Sequence, residues 1–172
     1  MPTLAFKSLT ALSPGIPGTE TWHAHPDDPA VTVMTDFRSR SSVTVAATAT
    51  IDAALEHMKH AGVRCAFAVD EAQRVVLGLI TAYDITSEKP MRHQQAMSAR
   101  RRDVLVKDIM QPLAEWRVLD IQDLERASVA AVAKLFDESQ LTHIPVFETR
   151  AGGEQCLRGL LSAARIKRLL AR

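Results

Sequence analysis

The stretch Val43-Thr44-Val45, Ile51 to Met58, Val63 to Val69 and Gly78-Leu79-Ile80-Thr81-Ala82-Tyr83-Asp84-Ile85 decides the fold, because the chain spells it twice. Its second copy is Val118-Leu119-Asp120, Val129 to Phe136, Leu141 to Phe147 and Gly159-Leu160-Leu161-Ser162-Ala163-Ala164-Arg165-Ile166. Ile51 falls on Val129, Met58 on Phe136 and Val69 on Phe147, each 78 residues on. Gly78 and Gly159 are 81 apart, so the second copy carries three extra residues in one loop. A repeat constrains a fold more than any single motif, and two copies are too few for a solenoid. They predict a pseudo-symmetric pair that closes on itself.

Each copy reads as β-α-β-β-α. Residues 43 to 46 form a short strand, and Thr50 is placed to cap the helix that follows. Ile51, Ala54, Leu55 and Met58 share one helix face, and Gly62 suits the position just past its end. Cys65 to Val69 and Val75 to Ile80 are apolar runs around the turn Asp70-Glu71-Ala72-Gln73. Their near-continuous apolarity predicts a sheet covered on both faces. Thr81 opens another helix. In the second copy Ser128 is the cap, and Val129, Val132, Ala133 and Phe136 form the face. Leu141 to Phe147 and Leu157 to Leu161 are the strands, joined by Ala151-Gly152-Gly153-Glu154. The last helix runs from Ser162 towards Arg172, with Lys167, Arg168 and Arg172 at the negative end of its dipole. Leu55, Met58, Val69, Ala133, Phe136 and Val146 are expected to form a core shared by both copies.

Composition narrows the class. The 172 residues are 47% hydrophobic and 24% charged, as in ordinary globular proteins. A net charge of +1 provides no field for nucleic acid or an anionic membrane. Cys65 and Cys156 lack CxxC spacing and imply a reducing compartment. The longest apolar stretch, Val75 to Tyr83, is far too short to span a bilayer, and no signal peptide is read after Lys7. The expectation is a cytoplasmic protein.

The sequence divides into a tail (1–30), a first unit (31–90), a connecting helix (91–103) and a second unit (104–172). Pro14, Gly15, Pro17, Gly18, Pro26 and Pro29 break the tail, whose Leu4, Phe6 and Trp22 could each bury a side chain. His23-Ala24-His25-Pro26-Asp27-Asp28 has metal-ligand residue types but no rigid spacing, and reads as solvated tail. Arg100-Arg101-Arg102, the only dense basic run, reads as a solvated face. There is no Ser-His-Asp order on an elbow, no phosphate-binding Walker loop and no zinc spacing, so no enzyme is expected.

Residues 31 to 172 resemble the tandem CBS domain proteins, named after cystathionine β-synthase. The marks are Val106-Lys107-Asp108-Ile109-Met110 leading into the second unit, His143-Ile144-Pro145-Val146 in its second strand, and Gly78, Thr81 and Asp84 in a Gly-x-x-Thr-x-x-Asp pattern. Val33-Met34-Thr35-Asp36-Phe37 looks like the lead-in to the first unit. The resemblance implies two β-α-β-β-α units packed sheet to sheet about a pseudo-twofold axis, two clefts between them, and pairing into a homodimer. It also implies that a cleft binds AMP, ADP, ATP or S-adenosylmethionine; no cofactor is expected to be required, and no metal is expected.

The candidate binding residues are Gly78, Thr81 and Asp84, with Val43, Thr44, Val45, Ala66 and Phe67 flanking the adenine. A helix start at Thr81 offers N–H groups to phosphate, and Asp84 can accept from a ribose diol, as the resemblance implies. Thr81 and Asp84 equally suit a capping box. Phe67 can stack on a base or fill the cleft. The second copy keeps a hydroxyl at Ser162, but Arg165 replaces the aspartate, and a guanidinium only donates. This cleft, with Ile144 and Pro145, is expected to be empty or to hold a ligand in another pose. The expected function is a stand-alone regulatory module that binds an adenine nucleotide and signals to a protein partner. The alternative is a ligand-free dimerisation scaffold.

Overall fold

A computed structural model describes residues 23–72 and 75–171. The expectations for Leu4, Phe6, Trp22, Gln73 and Arg172 lie outside the described residues.

The first half begins with a 3-10 turn at Ala30–Val33 and the short strand β1 (Thr35–Asp36). Then come β2 (Thr44–Ala46), α1 (Ile51–His60), β3 (Cys65–Asp70), β4 (Val75–Thr81) and α2 (Ala82–Thr86). Thr50 caps α1 by accepting from Ala53 N–H at 3.3 Å, and Gly62 takes a φ of +66° just beyond its end. Helix α3 (Lys89–Met97) connects the halves, starting two residues before the expected 91. The second half contains α4 (Val106–Ile109), β5 (Gln111–Pro112), β6 (Leu119–Asp120) and α5 (Ile121–Arg126). It continues with α6 (Val129–Ser139), β7 (His143–Thr149), β8 (Gln155–Ser162) and α7 (Ala163–Leu170). Ser128 caps α6 as expected. The 78-residue offset extends to irregularities: the register shifts between Ala68 and Val69, and again between Val146 and Phe147.

The strands form two four-stranded sheets, β2-β3-β4-β5 and β1-β8-β7-β6. The edge strands are exchanged between the halves. β5, near the start of the second unit, pairs with β4 of the first, while β1, near the start of the first, pairs with β8 of the second. Ala30, Val33 and Met34 accordingly pack in the core of the second unit, and Val104, Val106 and Ile109 in that of the first. Glycine permits each exchange. A Cβ on Gly78 would sit 2.5 Å from Gln111 O, and one on Gly159 would sit 2.8 Å from Thr35 O. Arg158, buried on β8, pairs with Asp36 on β1 and with Glu148 at 3.3 Å, fastening the first exchanged strand.

The shared core expected from sequence is corrected. Met58 and Leu55 belong to the helix-side core of the first unit, whereas Phe136, Val146 and Ala133 belong to that of the second. The apolar cluster joining the sheets contains Phe67, Leu79 and Leu160, with Phe37, Val76, Trp116 and Leu157 against it. Alternation along a strand explains the split, since adjacent residues face opposite sides of a sheet. One side meets the unit's own helices and the other meets the opposite sheet. The described end of the tail packs on the second unit: Ala24 N–H donates to Leu169 O and Ala130 N–H to Pro26 O, both at 2.9 Å.

Candidate functional site

Strand β4 passes directly into α2 at Thr81. The strand still pairs there with Cys65, and Ala82 N–H donates to Arg64 O at 2.8 Å. The next turn is a complete capping box. Asp84 N–H donates to Thr81 Oγ1 at 3.0 Å, and Asp84 Oδ2 accepts from Thr81 N–H at 2.9 Å and from Thr81 Oγ1 at 2.6 Å. Lys89, at the start of α3, brings its Nζ to 2.5 Å from Asp84 Oδ1. Asp84 is only 8% exposed, and this full set of donors is what lets a charged group lie so deep. Three of the N–H groups at this helix start, those of Thr81, Ala82 and Asp84, are taken by the Asp84 carboxylate, the Arg64 carbonyl and the Thr81 hydroxyl, so they are not offered to phosphate.

Asp84 faces a cleft of about 360 Å³ between the two units. Leu79, Thr81, Tyr83 and Lys89 line one side, and Met110, Gln111 and Glu115 of the exchanged lead-in line another. Gln140, Leu141, Thr142 and His143, at the α6–β7 corner, complete it. The volume lies in the range of small-molecule sites. Burial pushes the His143 imidazole below its ordinary value, and the nearby Asp84 charge only partly opposes that shift. His143 Nδ1 lies 3.1 Å from Thr142 Oγ1.

The topology separates the expected adenine-side residues from this cleft. β2 lies beyond β3, whereas the cleft opens on the β5 side of β4. Val45 and Ala66 face the helix-side core of the first unit, with Val43 packed against it, and Thr44 is exposed at the sheet edge. Phe67 fills the space between the sheets, 5.6 Å from the Phe37 ring and 5.8 Å from that of Trp116. Gly78 sits under the exchanged strand, not in the lining.

The four second-copy residues are dispersed as well. Ser162 caps α7, with Arg165 N–H at 3.5 Å, and no acid reaches back in place of Asp84. Ile144 is in the helix-side core, while Pro145 lines an apolar groove of about 570 Å³ with Trp116, Val118 and Leu157. A wider groove of about 820 Å³ runs between α1, α2 and α7, lined by Gly62, Ala82, Tyr83, Ser162, Ala163 and Ala164 among others. The basic run is engaged by carboxylates: Arg101 meets Asp52 at 3.1 Å and Arg100 meets Asp103 at 3.0 Å. Among the described residues no group of three His, Cys, Asp or Glu is placed to hold a metal ion, and no helix is long and apolar enough to cross a membrane.

Sequence reasoning missed Lys89, Met110, Gln111, Glu115 and the Gln140–His143 corner. The repeat held part of the signal. Thr142-His143 fall 78 residues after Arg64-Cys65, which adjoin Thr81-Ala82 in the first unit.

Residues 33–90 match the family model of the CBS domain. None of the curated proteins matches the chain. Among solved structures, the chain is similar to CBSX2 from Arabidopsis thaliana in complex with AMP, at 20% identity and a TM-score of 0.56, covering 82% of this chain and 94% of that one. It is similar to MJ1225 from Methanocaldococcus jannaschii, described as a candidate archaeal homolog of g-AMPK, at 20% identity and a TM-score of 0.57, covering 80% and 48%. A third similar structure is a hexameric CBS-CP12 protein from bloom-forming cyanobacteria, at 24% identity and a TM-score of 0.53, covering 80% and 65%. At these identities the likeness speaks for the fold.

Proposed function

We propose that the chain is a tandem CBS-domain regulatory module that binds an adenine nucleotide in the Asp84 cleft and passes its state to a protein partner. The observation that carries this reading is the buried Asp84 carboxylate facing a cleft built from both units. A carboxylate has about four lone-pair sites. Asp84 uses three, for two contacts from Thr81 and one from the movable Lys89 side chain, so it can turn to a ribose diol. A ligand held by both halves favours one relative orientation of the units by its differential affinity, and a partner can read that orientation. The AMP complex of the similar CBSX2 supports the nucleotide class.

The same reading includes a homodimer. The groove between α1, α2 and α7 carries the small residues Gly62, Ala82, Ala163 and Ala164, and Tyr83 beside it is 75% exposed. These small residues suit close packing against the helices of a second copy. Light scattering at micromolar concentration giving a monomer mass would remove the dimer from the proposal.

A specific observation favours a second reading, a ligand-free scaffold: the ring cluster of Phe37, Phe67 and Trp116 already fills part of the seam between the units. Calorimetric titration with AMP, ADP, ATP and S-adenosylmethionine decides between them. Saturable heat with at least one compound is expected. None with any of the four leaves the scaffold.

A further inference from the structure

Lys89 is the only lysine or arginine lining the Asp84 cleft among the described residues. The other charged groups there are Asp84 itself and Glu115. His143 is held towards its neutral form by burial. The N–H groups of Thr81, Ala82 and Asp84 are all engaged within the fold. A phosphate entering this cleft therefore meets two carboxylates and a single ammonium, and that ammonium is already paired with Asp84 at 2.5 Å. A ribose diol entering it meets the same pair, since Lys89 holds the Oδ1 that the diol would need.

Resting on the nucleotide reading of this cleft, we propose that Lys89 is its specificity-determining residue, selecting phosphorylated nucleosides over bare nucleosides by exchanging its Asp84 partner for the 5′-phosphate. The exchange leaves each charged group with a hydrogen-bonding partner. The diol takes the place of the ammonium on Asp84, and the released ammonium neutralises the phosphate. Adenosine makes only the first half of the exchange and leaves Lys89 without its partner, which a partly buried cation tolerates poorly. The Lys89 side chain is 48% exposed, so it has room to turn without unfolding α3.

The test is calorimetric titration of AMP and adenosine into the full chain, as wild type and as the Lys89→Gln and Lys89→Arg variants, each checked for an unchanged thermal midpoint. Wild type is expected to bind AMP at least about tenfold more tightly than adenosine, the scale of one hydrogen bond to a charged group. Lys89→Gln should bring the two affinities within about threefold, mainly by weakening AMP, and Lys89→Arg should keep the preference. An AMP-to-adenosine ratio unchanged in Lys89→Gln overturns the assignment, and so does equal weakening of both ligands. If a variant shifts the thermal midpoint, the ratio is read at a temperature at which it remains fully folded, because the AMP-to-adenosine ratio and not the stability carries the test. Wild type binding neither compound removes the nucleotide reading itself, an outcome distinct from binding without discrimination.

Discussion

The two strand-to-helix corners, Thr81 to Asp84 and Ser162 to Arg165, descend from one repeated pattern and have different chemistry. At the first, the hydroxyl and the carboxylate cap each other and Lys89 closes the set. At the second, Ser162 accepts one long contact and the residue three positions on is a cation. Helix length follows the same division, α2 ending after Thr86 and α7 running to Leu170. A capping carboxylate buried at a helix start becomes a fixed acceptor facing the seam between the units. A serine cap followed by arginine supplies no such acceptor. Backbone symmetry thus leaves the site asymmetric, and side-chain chemistry at a few positions decides which end can receive a diol.

The largest expected contrast is between Phe67 and its counterpart Pro145, 78 residues on. Phe67 is 2% exposed and joins both sheets through Phe37 and Trp116. Phe67→Ala should lower unfolding free energy by about 3–5 kcal/mol, and Pro145→Ala by about 1 kcal/mol or less. Equal losses in urea denaturation would show that the seam does not depend on the ring cluster.

The exchanged edge strands provide the next contrast. Gly78→Ala should cost about 1–3 kcal/mol, because its Cβ would meet the Gln111 carbonyl, which cannot move without moving β5. Gly159→Ala should cost less, since the Met34 side chain can turn and the Thr35 carbonyl stands farther off. A reversed order in thermal unfolding would mean that β1, not β5, is the more firmly held strand.

Asp84→Ala should cost about 1–2 kcal/mol without any ligand, by loss of the capping box, and Arg165→Ala less. Titration of the same variants sharpens the contrast. Asp84→Ala should also weaken AMP by about 1.5–3 kcal/mol, while Arg165→Ala changes it little. AMP binding equally to wild type and Asp84→Ala would place the ligand elsewhere.

The smallest effect concerns Cys65 and His143, which occupy equivalent strand starts. Burial disfavours the charged form of each, raising the Cys65 thiol to about 11 and lowering the His143 imidazole. The folded His143 takes up a proton less readily than the unfolded one. Its neutral burial is therefore without penalty above its ordinary value of 6.5, and stability falls as pH drops below it. His143→Gln should flatten stability against pH between about 6.5 and 5. Cys65 should resist iodoacetamide at pH 8 in the native protein, and rapid native alkylation would contradict its burial.

The order of strands and helices was legible because it depends on local patterns. Thr50 and Ser128 before periodic apolar runs marked α1 and α6, and Gly62 marked an end. At the equivalent place after α6, Gln140 adopts the left-handed conformation without being glycine, so composition gave no warning there. The capping box was legible too, since Thr81 and Asp84 stand three residues apart. The cleft was not. Its residues come from β4, α3, the exchanged lead-in and the α6–β7 corner, segments separated by up to some 60 residues. The adenine-side expectation assigned Val43 to Val45 and Phe67 to the cleft of their own unit, whereas Val45 lies in the helix-side core, Thr44 at the sheet edge and Phe67 in the seam between the sheets.

By itself the sequence determined two β-α-β-β-α units, the capped corners, and which copy keeps an aspartate, because helix capping and apolar period act between near neighbours. Only the tertiary structure decided that the lead-ins cross to the opposite sheets, that Phe67 closes the seam, and that Lys89 and the Gln140–His143 corner meet Asp84. Those outcomes depend on how two sheets pack face to face. Many registers bury similar apolar area, and glycine contacts, an ion pair and three aromatic rings select one of them.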